Sequence, residues 1–339
     1  MTALMELDNV TKVYSSGVFR RRATIALENT YLSVGGDRPS MLAIAGESGS
    51  GKTTLGMLLL GFLAPTQGEI RYKGKNVWKM SREEHREFRR EVQAVFQDPF
   101  EVYNPFYKVD HLLHVVISTF KLARSKQEER ALMEQSLVSI GLRPEETLGR
   151  YPHELSGGQR QRITIARALL LKPRLIMADE PVSMVDASLR ASILESLRKL
   201  NQEMDASILY ITHDLATAYH ISDNIMVFYQ GSVTEAGSTA RIIQDPQHPY
   251  TRLLVGAIPW PDPKRKWTRA GVVGSGERIG DRVKGCKFAP RCARALSICY
   301  ESFPSLYRTE SNRAVACHLY RDHPAMQGSE IGQVMGSGA

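Results

Sequence analysis

Residues 41–63, MLAIAGESGSGKTTLGMLLLGFL, divide into three parts. The apolar MLAIA predicts a buried strand, the glycine-rich GESGSG predicts a loop, and the apolar residues that follow predict a helix. Glycines allow consecutive backbone N–H groups to turn toward a phosphate, and the helix N-terminus adds a partial positive charge. The pattern GxxxxGK[ST], with Gly46, Gly51, Lys52 and Thr53 in register, therefore predicts a loop that binds nucleotide phosphates, the P-loop.

The P-loop positions have separate expected roles. Lys52 reaches the terminal phosphates of the nucleotide, and the Thr53 hydroxyl ligates Mg²⁺. A flexible linker is the alternative for a stretch rich in Gly and Ser, but a strand and a helix flank it where the motif requires them. The candidate nucleotide-binding residues are Gly46, Glu47, Ser48, Gly49, Ser50, Gly51, Lys52, Thr53 and Thr54. A P-loop alone leaves kinases, GTPases, helicases and transport ATPases open.

Two adjacent carboxylates narrow the range of P-loop proteins that the sequence fits. Residues 174–180 read RLIMADE, an apolar strand that ends in Asp179 and Glu180. Ligands bind at the carboxyl ends of strands in open α/β sheets, so Asp179 is expected to hold Mg²⁺, directly or through water. Glu180 is expected to polarise the water that attacks the γ-phosphate, which makes it a candidate catalytic residue. A solvated acidic pair is the alternative for this strand taken alone.

A second glycine motif lies between the P-loop and this acidic strand. Residues 155–159 read LSGGQ and precede the helical pattern ITIARALLL. Two glycines ahead of a helix form another anion-binding N-terminus, and one chain rarely needs two of these for one nucleotide. LSGGQ, the P-loop and the acidic strand together resemble the ATP-binding subunits of ABC transporters.

This resemblance assigns roles to four further residues. Tyr14 stands where the family places an aromatic ring that stacks on adenine, and Gln97 stands where the catalytic Q-loop glutamine contacts Mg²⁺ and the membrane partner. Asp186 resembles the D-loop aspartate, and His213 resembles the switch histidine, a catalytic residue that holds the γ-phosphate. The chain departs from the family pattern where SMVD replaces SALD and where Val182 follows EP. Both changes spare the carboxylates, so hydrolysis is expected.

The resemblance also implies a dimer around ATP. In ABC ATPases the LSGGQ motif of one subunit closes over the P-loop nucleotide of another, so Ser156, Gly157, Gly158 and Gln159 are expected to bind the nucleotide of a second ABC ATPase subunit. ATP then favours the closed pair, and hydrolysis with phosphate release removes that preference. The sequence leaves open whether the second subunit is identical or homologous.

Composition and charge argue against a membrane-spanning, secreted or nucleic-acid-binding protein. The chain has 339 residues, 42% hydrophobic and 24% charged, which fits a globular protein of two domains. The apolar stretch 57–64 is far shorter than the ~18 residues of a membrane span, and the first twenty residues lack a secretory hydrophobic block, so a cytoplasmic address is expected. Residues 241–339 hold 15 Lys and Arg against 8 Asp and Glu, a net of +7 out of +8. This segment shows no basic stripe with interleaved aromatics, so no nucleic-acid partner is predicted.

All four cysteines, Cys286, Cys292, Cys299 and Cys317, lie in this basic segment, with 5, 6 and 17 residues between them. Disulfides are disfavoured at a cytoplasmic address. Structural zinc sites usually use cysteine pairs about two to four residues apart, whereas a [4Fe–4S] cluster takes thiolates from a loop-rich segment. Zinc and metal-free thiols stay open as alternatives. The segments CKFAPRC, ICYESFPSL and AVACHLY resemble the C-terminal extension of dipeptide and oligopeptide importer ATPases, and this resemblance implies the iron–sulfur cluster.

The segment QHPYTRLL, residues 247–254, resembles the oligopeptide-uptake branch of the same family. The expected function is therefore that of the ATP-hydrolysing subunit of an ABC importer for oligopeptides or similar oligomers. It would work at the cytoplasmic face of the membrane with separate permease subunits and, indirectly, a substrate-binding protein. Oligosaccharide uptake by the same motor is one alternative. A soluble ABC ATPase acting on nucleic acid or ribosomes is another, although the chain lacks the long coiled coil or the doubled motif set of such relatives.

These patterns predict an α/β fold of the P-loop NTPase type with a mixed, mainly parallel sheet, an inserted helical subdomain and a small Cys-rich C-terminal extension. Charged amphipathic helices are expected at residues 82–92 and 125–140. The expected regions are a nucleotide-binding domain at 1–240 with the helical subdomain at about 97–165, the extension at 241–330 with a proline-rich linker near its start, and a flexible tail at 331–339.

Overall fold

The computed structural model describes residues 3–16, 22–36, 39–98, 102–183, 185–258 and 284–335. The prolines of the expected linker, at positions 259, 261 and 263, lie outside these residues, and so does Met184. The strands, in chain order, are β1 (Met5–Ser16), β2 (Arg22–Val34), β3 (Met41–Ala45), β4 (Gln67–Tyr72), β5 (Lys75–Asn76), β6 (Val92–Val95), β7 (Leu175–Asp179), β8 (Ser207–Thr212), β9 (Asn224–Tyr229), β10 (Ser232–Ser238), β11 (Leu306–Glu310), β12 (Arg313–Val315) and β13 (Ala325–Met326).

The helices alternate with these strands through much of the chain, which is the pattern of an α/β protein. The helices, in chain order, are α1 (Lys52–Leu59), α2 (Arg82–Glu91), α3 (Asp110–Phe120), α4 (Lys126–Ser139), α5 (Pro144–Thr147), α6 (Gly157–Leu169), α7 (Ala187–Met204), α8 (Leu215–Ile221), α9 (Thr239–Gln244), α10 (Pro249–Gly256), α11 (Ile298–Glu301) and α12 (Ile331–Met335). The charged helices expected at 82–92 and 125–140 are α2 and α4. Ser81 and Ser125 cap their N-termini by accepting the backbone N–H of the third helical residue.

The chain folds into two compact units. Unit 1 comprises residues 1–34, 41–79 and 210–339, and unit 2 comprises residues 35–40 and 80–209. The P-loop and the C-terminal extension belong to unit 1. The LSGGQ motif and the acidic strand belong to unit 2.

Unit 1 contains two runs of paired strands. In the first, the order is β2-β1-β4-β5 and every pair is antiparallel. In the second, the order is β13-β11-β12-β10-β9-β3, and only β3 and β9 are parallel. All five residues of β3 are buried, as are five of the six in β9. Near-continuous burial of this kind is typical of parallel strands covered on both faces, so the apolar run before the P-loop is a core strand.

The C-terminal extension continues the second run of strands in unit 1. β12 pairs with β10, and β11 and β13 follow outward. Tyr250 of α10 and Phe288 of the extension share one hydrophobic cluster with Ala43 and Ala45 of β3. The extension is therefore packed directly on the strand that delivers the P-loop.

Residues 331–335, expected in a flexible tail, instead form α12. Ile331 and Val334 on this helix are 4% and 0% exposed. Asn224 of β9 donates its side-chain amide to the carbonyl of Met335 at 2.7 Å, which ties the helix to the sheet. The two apolar side chains lie three residues apart, on one face of a helical turn, and they are buried because unit 1 supplies a surface for them. Residues 336–339 lie outside the described residues.

Unit 2 combines a small parallel sheet with helices. β6 and β7 pair in parallel, with Val92 opposite Leu175, and β8 lies beside β7. All residues of β6 and β7 are buried. The parallel strands place the residues that follow them, Gln97 and Glu180, at the same edge of this sheet.

Candidate functional site

The P-loop is built around two glycines that no other residue could replace without distortion. Gly46 has a φ of +152°, and a Cβ there would lie 2.2 Å from the carbonyl oxygen of Phe228. Gly51, the N-cap of α1, has a φ of +102°, and a Cβ there would lie 2.3 Å from the carbonyl oxygen of Ala26. Both close approaches are to backbone atoms, which cannot move aside as a side chain could. The loop is therefore held in one shape by its surroundings.

Lys52 lies at the start of α1 with its amino group folded back over the loop. Its Nζ donates to the carbonyl oxygens of Gly46 at 2.7 Å and Glu47 at 2.9 Å, and the residue is only 6% exposed. Ser48, Gly49 and Thr53 are exposed, so the loop presents an open concave face beside a buried cation. This arrangement suits a phosphate chain: backbone N–H groups, a helix N-terminus and an ammonium group surround one position.

Two further predicted nucleotide residues lie in unit 1. Tyr14 of β1 is 40% exposed, with the Lys12 ammonium 5.4 Å from the ring centroid. An aromatic face that is open to solvent can stack on a base. His213 follows the buried strand β8 and is exposed, and the next residue, Asp214, caps α8 by accepting the N–H of Ala216 at 2.9 Å. His213 thus stands on a fixed turn between a core strand and a capped helix.

The acidic pair in unit 2 occupies two different environments. Asp179 ends β7 and is 7% exposed, whereas Glu180 lies just beyond the strand with a φ of +45°. The N–H and hydroxyl of Ser183 both donate to the carbonyl of Glu180, at 3.1 and 2.9 Å. A glutamate rarely adopts a left-handed backbone, and it persists here because the following turn holds it.

The Q-loop residue Gln97 follows β6 and is exposed. Gln161 of α6, fully buried, donates its side-chain amide to the carbonyl of Phe96 at 3.1 Å. Arg167 of the same helix donates to the carbonyl of Ala94 at 2.6 Å, and burial lowers the pKa of its guanidinium. Sequence reasoning missed both residues, which look like ordinary polar positions of an amphipathic helix. Their contacts fix the strand end from which Gln97 projects.

The LSGGQ motif forms the N-terminus of α6. Ser156 accepts the N–H of Gln159 at 3.2 Å, and the Gln159 side chain accepts the N–H of Ser156 at 2.9 Å, a reciprocal capping box. Gly157 is partly exposed, whereas Gly158 is buried, and a Cβ on Gly158 would lie 2.8 Å from Cδ1 of Leu189. Leu189 lies in α7, just after the exposed D-loop residue Asp186. The second glycine therefore allows α6 to pack closely on α7.

Glu47 of the P-loop has partners that the sequence did not reveal. Its backbone N–H donates to the hydroxyl of Tyr250 at 2.8 Å. Its carboxylate accepts two hydrogen bonds from Arg291, at 3.0 and 3.1 Å. The HPYT segment gave a signal for Tyr250 only as a resemblance, and nothing pointed to Arg291, which is 244 positions away.

The four cysteines form no disulfide, and Cys299 and Cys317 are buried. Burial raises the pKa of Cys317 to about 12, with Cys286, Cys292 and Cys299 adding to the shift because thiolates repel one another. The predicted iron–sulfur and metal-binding character is not supported by the arrangement as it stands. Among the residues that the structure describes, no three His, Cys, Asp or Glu side chains are placed to hold one metal ion.

The fold and the phosphate loop define a P-loop ATPase of the ABC type. The family model described as "ABC transporter" matches residues 31–183, and that described as "Oligopeptide/dipeptide transporter, C-terminal region" matches residues 234–299. The chain is 39% identical over 321 residues to the dipeptide transport ATP-binding protein DppF of Haemophilus influenzae, covering 93% of this chain and 96% of that protein. It is 37% identical over 322 residues to the oligopeptide transport ATP-binding protein AppF of Bacillus subtilis, covering 94% and 97%. The chain belongs to this family of ABC transporter ATP-binding proteins.

A solved structure agrees with this assignment. An ATP-binding cassette solved as a dimer in a post-hydrolysis state, with ADP and phosphate bound, matches 69% of this chain and 98% of its own length. The TM-score is 0.62 and the sequence identity is 30%. The predicted α/β fold, the ABC family and the ATPase class are therefore confirmed. In the described part of the chain, no helix has the length and apolarity needed to cross a membrane.

Proposed function

We propose that this chain is the motor subunit of an ABC importer for oligopeptides. It binds MgATP, closes on a second ABC ATPase subunit and hydrolyses the nucleotide at the cytoplasmic face of the membrane. Separate permease subunits change conformation in response to this closure. The observation that carries the proposal is the P-loop with the buried Lys52 bonded to its backbone, on a chain similar over nearly its whole length to peptide-transport ATP-binding proteins.

The described residues supply each part of the reaction. Lys52 exchanges its two backbone carbonyl partners for the terminal phosphates. The exposed Thr53 hydroxyl and the Asp179 carboxylate suit Mg²⁺, which takes few protein ligands beside substrate phosphates and supplies neutralisation of the developing charge. Glu180 orients and polarises the attacking water, and His213 contacts the γ-phosphate.

The remaining predicted residues serve recognition and assembly. Tyr14 stacks on the adenine, and Gln97 links the metal site to the permease. The LSGGQ residues Ser156 to Gln159 and the D-loop residue Asp186 face the nucleotide of the second subunit. The exposed position of Ser156 at the N-terminus of α6 supports this role, because the dipole at a helix start favours an anion.

Peptide is the proposed cargo class because the C-terminal region matches that of oligopeptide and dipeptide transporters. A substrate-binding protein would deliver the cargo to the permease, and no nucleic acid takes part. Purification from solubilised membranes tests this assembly. Recovery of a permease, a second ATPase subunit and a peptide-binding protein is the expected result. Recovery with ribosomes or DNA would instead indicate a soluble ABC ATPase. Recovery with a sugar-binding protein would indicate oligosaccharide uptake.

Glu180→Gln tests the catalytic step. The amide keeps the size of the side chain but cannot act as a base, so ATP turnover should fall at least about 100-fold while MgATP binding stays intact. The variant should also accumulate as an ATP-bound dimer, detected by size-exclusion chromatography with and without MgATP. Glu195→Gln, an exposed glutamate on α7, is the matched control and should hydrolyse ATP normally. Retained hydrolysis in Glu180→Gln would remove Glu180 from its assigned role.

We also propose that Cys286, Cys292, Cys299 and Cys317 hold a [4Fe–4S] cluster. Backbone N–H groups already point at the sulfurs: those of Phe288 and Ala289 at Cys286, Arg294 at Cys292, Leu296 at Cys299, and Leu319 at Cys317. Burial raises the pKa of Cys286, Cys292 and Cys317, and the hydrogen bonds to these three sulfurs oppose that shift by stabilising the thiolates that a cluster requires. The cluster would crosslink the loops of the extension.

Anaerobic purification tests the cluster. A brown protein with iron and sulfide in equal amounts is the expected result, and Cys299→Ser should lower both contents without abolishing MgATP binding. A colourless preparation, or one loaded with zinc, would reject the cluster and leave the ATPase proposal untouched.

A further inference from the structure

Glu47 is the P-loop residue held by the C-terminal extension. Its carbonyl accepts hydrogen bonds from Lys52 Nζ at 2.9 Å and from the N–H of Ser50 at 3.1 Å. Its N–H is bound by Tyr250, which is completely buried. Its carboxylate is bound by Arg291. Two of these contacts lie inside the P-loop, and two come from residues after position 240.

The Arg291 guanidinium makes a bidentate ion pair with Glu47. Nη1 lies 3.0 Å from Oε2 and Nη2 lies 3.1 Å from Oε1, the parallel geometry that suits a carboxylate. The guanidinium also lies 5.6 Å from the ring centroids of Tyr229 and Phe288. The hydrogen bond to Glu47 is the main reason that the pKa of Arg291 is raised, so the cation is permanent. The side chains of Arg291 and Glu47 are 24% and 39% exposed, so solvent screens the pair only in part.

The backbone of Arg291 is fixed as firmly as its side chain. Ala289, Pro290 and Arg291 form a short helical turn between Cys286 and Cys292. The N–H of Ala289 donates to the carbonyl of Cys286 at 2.9 Å, and the N–H of Cys292 donates to the carbonyl of Ala289 at 3.1 Å. The position of the guanidinium therefore depends on the conformation of residues 286–292, the cysteine loop.

Glu47 places a negative charge in a loop whose ligand carries several negative charges. Without Arg291, the Glu47 carboxylate would repel the triphosphate. The side chain of Glu47 would also no longer be anchored, so the start of the P-loop would lose that support. Arg291 offsets that charge and fixes the orientation of the carboxylate through two parallel hydrogen bonds. We propose that Arg291 is a positioning residue for nucleotide binding, which acts through Glu47 and makes the affinity for MgATP depend on the C-terminal extension.

The test compares nucleotide affinity in the full chain, measured by calorimetric titration with a non-hydrolysable MgATP analogue. Arg291→Ala should raise the Kd about fivefold to tenfold at low salt, because an ion pair of this geometry is lost and a repulsive charge remains. The increase should shrink in 0.5 M salt, since screening weakens the repulsion. Adding Glu47→Gln to Arg291→Ala should lower the Kd below that of Arg291→Ala alone at low salt, because the unpaired charge is gone.

Lys287→Ala is the matched control. Lys287 belongs to the same loop, but its ammonium pairs with Glu28 at 2.8 Å and donates to the carbonyl of Gln230 at 2.7 Å rather than to Glu47. Its loss should lower the melting temperature and leave the Kd unchanged. If Arg291→Ala does not fold, Arg291→Lys and Arg291→Gln replace it in the test. The lysine variant should keep its affinity for the MgATP analogue, and the glutamine variant should bind it more weakly.

Three results would overturn the proposal. One is an unchanged Kd in Arg291→Ala. Another is an increase in Kd that adding Glu47→Gln does not reduce. The third is an equal loss in Lys287→Ala, which would mean that the extension acts on stability alone.

Discussion

Replacing Arg313 tests how the C-terminal extension is joined to the rest of unit 1. Arg313 of β12 is 1% exposed, and its partner Glu235 of β10 is 0% exposed. Nη2 and Nε of Arg313 lie 2.8 and 3.0 Å from Oε1 of Glu235, and Nη1 lies 3.2 Å from Glu310. The Arg313→Met substitution fills a similar volume but leaves the Glu235 carboxylate buried without its cation.

The expected loss follows from these contacts. Removing one partner of a buried ion pair costs about 3–5 kcal/mol. Glu235 keeps the backbone N–H groups of Gln247 and His248, at 3.1 and 3.0 Å, so the low end of that range, about 3 kcal/mol, is expected. For a unit of this size the melting temperature should fall by about 6–12 °C.

Urea unfolding of the full chain, followed by circular dichroism, measures the effect. Arg241→Met is the control, because Arg241 is 63% exposed and lies 3.5 Å from Glu310, so its loss should cost under about 0.5 kcal/mol. Glu235→Gln combined with Arg313→Met should recover part of the loss, since no buried charge remains. A cost below about 1 kcal/mol for Arg313→Met, or no recovery in the double variant, would refute the reasoning.

Two other substitutions test the P-loop and its support. Gly46→Ala should lower the free energy of unfolding by at least about 2 kcal/mol and abolish MgATP binding, because its Cβ would lie 2.2 Å from the Phe228 carbonyl oxygen. Gly256→Ala is the control and should be near neutral, because a Cβ there would have nothing within 4 Å. Equal urea midpoints for the two variants would contradict this prediction. Burial lowers the pKa of His248 from 6.5 to about 3, so stability is complete above pH ~6.5 and falls by about 1.4 kcal/mol per unit as the pH drops toward 3. His248→Asn keeps an acceptor for the N–H of Tyr250 and should lose about 2 kcal/mol less between pH 7 and pH 5; an unchanged slope in urea titrations would exclude His248 as the cause.

Local sequence patterns predicted the parts of the site that are encoded within a few residues. The strand, loop and helix around Lys52 follow from the spacing of glycines and apolar residues. The buried strand before Asp179 follows from its composition, and Ser156 with Gln159 matches the spacing of a capping box. These features form wherever such residues occur in that order, because the interactions that define them are short in sequence.

Other features depended on contacts between distant segments. Glu47 and Arg291 are 244 positions apart, and Glu235 and Arg313 are 78 apart. The sequence does not distinguish Glu235, Arg291 and Arg313 from solvated charges, and the P-loop motif indicates no distant partner for Glu47. A flexible tail is expected at 331–339 because of the Gly/Ser segment MGSGA, yet residues 331–335 form a helix on unit 1.

The sequence by itself determined the nucleotide chemistry, since a P-loop needs particular residues at particular spacings. The tertiary structure alone decided which residues hold that loop in place. The ion pair of Glu47 and Arg291 forms only because folding brings the P-loop and residues 286–292 together, just as the buried pair of Glu235 and Arg313 requires β10 and β12 to pair. Burial and pairing depend on the whole fold, whereas a motif depends on its neighbours in the chain.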